Sequence, residues 1–502
     1  MTRDIIRKEI EKAINKKINF NVSADTKFGD YSSNVAILLK EDPKKIADKI
    51  KSPYISKIEI AGPGFLNFYL SEKGLIAGLK KLADCPKQGL GQKIQVEFIS
   101  ANPTGELHIG HGRSAFYGDA LANVLEKAGY KVEREYFIND SKESAQIKEL
   151  GKTILGKGTS YLTSYLKKKL EKRKWKVDDE SEVGYAIAEE IQEDNEKFIK
   201  SLGIKFDRWF SEELQLREKK EFKKTIELLE KKKMVYKKDG AVWLKTSKYR
   251  DDEDRVIVRS SGEIAYFLSD IAYHINKVKR GYKKIIDIWG ADHQGHVKRM
   301  MAVKKMLGWK SDLDILISQL ATLKKGDERK KLSKRKGNIV LLKDLVKEVG
   351  LDAVRWFYLE KSLSTHMDFD LDLAKERSQK NPVYYVQYAG ARMNSILNKS
   401  KLPARRCFAS SDAGGQISKP VRNLILKLIQ FPETIEDITK DYQVQRLTVY
   451  AYELASEFSQ FYRDIKVIGS KNEKELIALV ALTRKILQDT LKLLGISAPE
   501  KM

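Results

Sequence analysis

Histidine and cysteine are both scarce in this 502-residue chain, at six and two, and that scarcity narrows the chemistry open to it. Cys85 and Cys407 stand far apart, and neither a Cys-x-x-Cys nor a His-Glu-x-x-His spacing occurs, so no protein-bound zinc or other resident metal is expected. So few thiols also exclude a disulfide framework and point to a reducing, cytoplasmic setting. No apolar run approaches the roughly 18 residues that a membrane helix needs. The first ten residues lack the apolar stretch of a signal peptide, and internal repeats are missing.

Positive charge, in contrast, is in excess: 95 Lys and Arg against 70 Asp and Glu give a net charge of +25. Such a surface attracts polyanions, nucleic acid first among them, although a general lysine bias explains part of it equally well. The length suits about three or four domains.

Residues 1–85 read as a small α+β domain, with helices at 2–16 and 35–39, a turn at 29–31, and strands at 57–60 and 64–70. Pro86 and the glycines at 89 and 91 mark a linker. An α/β region with a Rossmann-type parallel sheet is expected over 86–375, interrupted at about 150–250 by an insertion of charged amphipathic helices such as 165–176 and 219–233. The insertion is expected to pack beside the active site without supplying chemistry. Strand-like runs resume at 254–259 and 262–266, and an apolar run at 285–289, broken only by Asp287, leads into a Gly-rich polar turn. Over 376–502 helical spacing takes over, as for Leu479, Leu482, Ile486 and Leu493, so an all-α bundle is expected.

Chemistry concentrates in two strings, His108-Ile109-Gly110-His111 and Lys331-Leu332-Ser333-Lys334-Arg335. Alternation at 94–99 predicts a strand before the first. Ala115, Leu121, Val124, Leu125 and Ala128 predict a helix after it, and 131–138 resumes a strand, giving a βαβ unit. A helix N-terminus offers unpaired N–H groups and partial positive charge, a natural phosphate seat. When a carboxylate attacks the α-phosphate of ATP, charge builds on the phosphate oxygens; His108 and His111 can donate there, while Lys331 and Lys334 can meet the β- and γ-phosphates. Gly326 and Gly337-Asn338 bracket the lysines as a loop fit to close as a lid. Taken alone, the lysine string also fits a solvated basic loop, and the histidines a helix cap or half a metal site; their order and context favour the nucleotide reading.

These strings resemble the signatures of class I aminoacyl-tRNA synthetases. Longer stretches resemble the arginyl-tRNA synthetases of bacterial type: 96–105 (Val-Glu-Phe-Ile-Ser-Ala-Asn-Pro-Thr-Gly), 134–140, 381–389 and the closing 494–502. The resemblance covers nearly the whole chain. It implies an arginine–tRNA ligase that forms arginyl-adenylate from ATP, with Mg2+ carried by the nucleotide, and then charges tRNA-Arg, activation commonly depending on bound tRNA. A guanidinium is a planar, always charged fork, so its pocket calls for carboxylates. The resemblance gives that role to Glu97 and Asp270, with Asn102, Tyr266 and Gln294 lining the substrate site. It gathers Gly110, Gly290, Asp292 and His293 around the adenosine, turns Phe65 and Asn67 toward the tRNA D-loop, and makes 376–502 the anticodon-binding domain. There Tyr385 and Tyr388 can stack on bases, or simply pack in the core. A monomer without membrane attachment is implied.

The stretch 139–147 runs two residues longer than the family pattern, and Leu332 replaces a commoner Met. Two rivals stay open: a class I synthetase for another amino acid such as lysine or cysteine, the latter disfavoured without a cysteine cluster, and a catalytically silent tRNA-binding protein on the same body.

Overall fold

The computed structural model describes residues 2–17, 20, 22–24, 28–82, 88–171, 175, 177–325, 328–330, 340–400 and 417–502. The chain divides into two compact units, Gly89–Lys375 and a second made of Met1–Gln88 with Glu376–Met502. The first and last segments, expected as separate domains, thus share one unit.

Unit Gly89–Lys375 is built on five parallel strands. They are β1 (Lys93–Glu97), β2 (Lys131–Ile138), β3 (Arg208–Ser211), β4 (Lys284–Gly290) and β5 (Asp312–Ser318), in spatial order β5-β4-β1-β2-β3. The chain runs outward from β1 through β2 to β3, then returns to β4 on the other side. Strand order therefore reverses between β1 and β4, and in open α/β sheets the crevice beyond the carboxyl ends at that point is where ligands bind. Three helices frame it: α1 (Ile109–Lys127), α2 (Tyr266–Lys279) and α3 (Gln294–Leu307).

Two expectations need correction. The interval 150–250 is not wholly an insertion, since it contains β3, whose Tyr136↔Trp209 and Phe137↔Phe210 pairs extend the sheet. Four residues between charged helices are too short to show a period in sequence. The expected strand at 262–266 is reduced to an isolated Val258↔Ile264 bridge, and Tyr266 opens α2. Burial decides the matter: Phe267, Leu268, Ile271, Ala272 and Ile275 recur at helical spacing and pack inward. Leu268 and Ile271 are fully buried, each contributing about 1.5–3 kcal/mol. The rest of the interval is largely helical, including Glu180–Ser201, which packs on Ala145–Ile154.

In the other unit a four-stranded antiparallel sheet (Val22–Ala24, Tyr31–Ser33, Phe65–Leu70, Ile55–Ala61) accompanies the helices Pro382–Lys399, Lys419–Ile429, Phe431–Asp441, Arg446–Asp464 and Glu473–Leu494. Arg3 ties the two parts together, its guanidinium meeting Asp437 at 2.6 and 2.8 Å and its backbone N–H donating to Glu433 at 2.6 Å. Tyr31 donates to the other Glu433 oxygen at 3.1 Å. Burial pushes the Glu433 carboxyl up to about 7, against the pull of Arg3. Among the described residues no helix is long and apolar enough to cross a membrane.

Candidate active site

The His108 turn closes on itself. Nδ1 of His108 accepts from the Gly110 N–H at 3.1 Å, and Nδ1 of His111 accepts from the His108 N–H at 3.2 Å, a reciprocal cap on the first turn of α1. The two rings stack with centroids 3.7 Å apart. A ring accepting at Nδ1 holds its hydrogen on Nε2, so the cap fixes both histidines in the tautomer that can donate to a phosphate oxygen. Gly110 is required by closeness: a Cβ there would lie 2.9 Å from His108 Cε1. Asn195 of the helix Glu180–Ser201 donates to the Gly105 carbonyl at 3.1 Å, bracing the turn from the side.

Lys331 and Lys334 lie outside the described residues, but the chain on either side is described. Upstream, Glu328–Lys330 pairs with Ala321–Lys325 as a hairpin. Downstream, Leu341 forms an antiparallel bridge with His108, Ile109 donates to the Val340 carbonyl at 3.1 Å, and Leu342 donates to the Leu107 carbonyl at 2.9 Å. Val340, Leu341 and Leu342 are thereby bonded to the histidine turn. Lys334 stands six residues before Val340, a span of at most about 20 Å.

β1 ends at Glu97, and the backbone then passes through Ile99 (φ 69°) and Ser100 (φ 40°), two successive left-handed residues without glycine. For a β-branched residue this conformation costs about 1–3 kcal/mol. Ser100 offsets part of it by donating to Glu97 Oε1 at 2.8 Å and accepting from the Phe137 N–H at 3.1 Å. The strained turn leaves Asn102 exposed at the carboxyl end of the sheet.

Across the reversal, Asp270 lies one turn along α2 from Tyr266. Among the described residues its carboxylate has no hydrogen-bond or ion-pair partner. Burial, with Glu212 and Glu97 nearby, pushes its carboxyl well above the usual range. Glu212 is itself buried, accepts from Ser269 at 2.8 Å and is likewise raised by burial. Lys277 pairs with Glu97 and Arg217 draws on Glu212, so of these carboxyl groups Asp270 is the one left without an ionic partner among the described residues, a setting that an incoming guanidinium would relieve.

Tyr266, His293 and Trp289 gather at the end of β4, with the His293 ring 6.4 Å from Tyr266 and 6.3 Å from Trp289. Asp292 lies 3.5 Å from His293, and Gly290 and Gln294 are exposed on the same turn. Glu97, Asn102, Tyr266, Asp270, Gly290, Asp292, His293 and Gln294 therefore all cluster at the carboxyl ends of β1 and β4 or on the facing helix. Among the described residues no group of three or more His, Cys, Asp or Glu is arranged to hold a metal.

Phe65, Asn67, Tyr385 and Tyr388 belong to the other unit. Phe65 is 40% exposed, whereas Asn67 is buried on its strand. Tyr385 donates to Ser459 at 3.2 Å, and Tyr388 accepts from Arg392, whose guanidinium lies 5.0 Å from its ring and 4.9 Å from that of Tyr462. Both tyrosines are half-buried.

The sequence reading missed Ser100, Glu212, Asn195, His274 and Lys277. One signal was in view, Asp287, the only charged side chain in an otherwise apolar run, which proves to anchor the last two.

The chain matches three family models: "Arginyl tRNA synthetase N terminal domain" over 1–70, "tRNA synthetases class I (R), catalytic domain" over 77–202 and 163–370, and "DALR anticodon binding domain" over 386–502. It is 38% identical to the arginine–tRNA ligase of Bacillus subtilis, the match covering 100% of this chain and 99% of the relative. With that of Listeria monocytogenes serotype 4b it shares 38% over 98% and 96% of the two chains. In fold it is like the arginyl-tRNA synthetase of Thermus thermophilus, with a TM-score of 0.82, 21% identity and both chains covered in full. A catalytic-domain model spanning the whole sheet, together with full-length likeness to arginine–tRNA ligases, shows that the chain belongs to the arginyl-tRNA synthetase family of class I.

Proposed function

We infer that this chain activates arginine with ATP and transfers the arginyl group to tRNA. One arginine carboxylate oxygen attacks the α-phosphate in line; the bond to the bridging oxygen breaks, and pyrophosphate leaves with its electron pair. A terminal ribose hydroxyl of the tRNA then attacks the arginyl carbonyl, and AMP departs.

His108 and His111 donate from Nε2 to phosphate oxygens, acting most strongly as charge develops. Lys331 and Lys334 neutralise the β- and γ-phosphates. Gly110, Gly290, Asp292 and His293 receive the adenosine. Asp270 and Glu97 take the guanidinium, with Asn102, Tyr266 and Gln294 completing the substrate site. Magnesium travels with ATP, bound chiefly by its phosphates. In the other unit Phe65 faces tRNA with Asn67 buried in support, and Tyr385 and Tyr388 offer rings to unstacked bases. The working form is a cytoplasmic monomer.

The observation that carries this reading is the Asp270 carboxylate, unpaired among the described residues and set where strand order reverses, in the same unit as a capped histidine turn that is bridged to Leu341. His111→Ala and Lys334→Ala, each assayed for adenylate formation with tRNA present, are expected to lose about 100-fold or more. Undiminished turnover in both variants contradicts the mechanism.

A further inference from the structure

Next to the proposed guanidinium site lies a chain of buried polar side chains with no part in the steps above. Lys277 and Asp287 are both fully buried and His274 is 1% exposed. Lys277 Nζ donates to Glu97 Oε2 and, at 2.7 Å, to Asp287 Oδ1. Asp287 Oδ2 faces His274 Nε2 at 2.8 Å, and His274 Nδ1 lies 2.7 Å from the Asp270 carbonyl. The chain joins β1, β4 and α2, the elements on either side of the strand-order reversal.

We propose that Lys277, Asp287 and His274 are positioning residues that hold Glu97 and Asp270 in the geometry that accepts a guanidinium. Burying such ions costs several kcal/mol each, and an apolar replacement would often be as stable, so stability alone gives little reason for the arrangement. What it supplies is fixed geometry. Ser100 holds Glu97 Oε1 and Lys277 holds Oε2, so the carboxylate cannot rotate. Through His274 the same chain grips the backbone of α2 at Asp270. Charges also divide the labour: Glu97 already has a cation, so it acts as an orienting acceptor, and the ionic partner left for the substrate is Asp270.

This rests on the assignment of Glu97 and Asp270 to arginine, and the test separates the two claims. KM for arginine and for ATP, with kcat, are measured by tRNA-dependent pyrophosphate exchange in Glu97→Gln, Lys277→Met, Asp287→Asn and the Glu97→Gln/Lys277→Met double variant. The expected result is a rise in arginine KM of about 10- to 100-fold for Lys277→Met and Asp287→Asn, with ATP KM within about twofold. The double variant should be no worse than the worse single, because Lys277 acts through Glu97. Equal shifts in both KM values, additive effects, an unchanged arginine KM, or failure of both Lys277→Met and Asp287→Asn to fold overturns the positioning role in favour of a purely structural one. An unchanged arginine KM in Glu97→Gln instead overturns the assignment beneath it, and the frame with it.

Discussion

Replacing Asp270 with asparagine should cost the enzyme its grip on arginine while making the fold more stable. Its carboxylate has no partner among the described residues and is kept toward its protonated form by burial and by Glu212 and Glu97. In the proposed arginine complex that carboxylate would be half of a buried ion pair, and removing one half of such a pair costs about 3–5 kcal/mol. The loss corresponds to roughly 150- to 4000-fold in kcat/KM for arginine. The free protein responds in the opposite direction. Because the folded-state pKa lies above the unfolded value, the folded state keeps a proton that the unfolded chain releases, so this residue's contribution is fully present at acid pH and is lost as pH rises through the raised pKa. Asparagine has no proton to lose, so at pH 7 the variant should melt higher, by an amount equivalent to about 1–2 kcal/mol. The assays are arginine-dependent pyrophosphate exchange at several pH values and thermal unfolding at the same values. The parent's kcat/KM should rise with pH through the Asp270 titration, and the variant should lose that share of the dependence. A kcat/KM within tenfold of the parent, or a lower melting point, refutes the reasoning.

Asparagine at position 108 separates capping from chemistry, since it can still cap α1 but has no Nε2–H. His108→Asn should therefore unfold within about 1 kcal/mol of the parent while adenylate formation falls about 100- to 1000-fold; a large loss of stability with normal turnover is the contrary result. Glu433 lies buried against Arg3 and Tyr31, with its carboxyl up at about 7. As pH rises from its unfolded value to about 7 the unit holding it should lose stability, and Glu433→Gln should flatten that slope in denaturant titrations; parallel slopes for parent and variant rule this out.

What could be seen in sequence was whatever depends on near neighbours. His108 and His111 announce their cap because a reciprocal cap closes within three residues, and β2 was bounded correctly because eight residues suffice to show its pattern. β3 escaped because four residues carry no measurable period between charged helices. The left-handed turn at Ile99 and Ser100 has no local signature, since isoleucine rarely adopts it and the turn is held from the next strand, where the Phe137 N–H donates to Ser100 and the Tyr136 hydroxyl accepts from the Ala101 N–H. Lys277 meets Glu97 across 180 positions, a pairing that only the fold brings about. Even so, a lone Asp287 in an apolar strand was a warning that a buried cation lay opposite. The surroundings of Asp270 in sequence are ordinary, so its proposed role comes from the family resemblance and not from any local pattern.

Pyrophosphate exchange across the twenty amino acids, with and without total tRNA, reads out whether this chain uses ATP to activate arginine for tRNA. Arginine alone should support exchange, and only when tRNA is present; exchange driven equally well by lysine or glutamine, or by none of the twenty, contradicts the account.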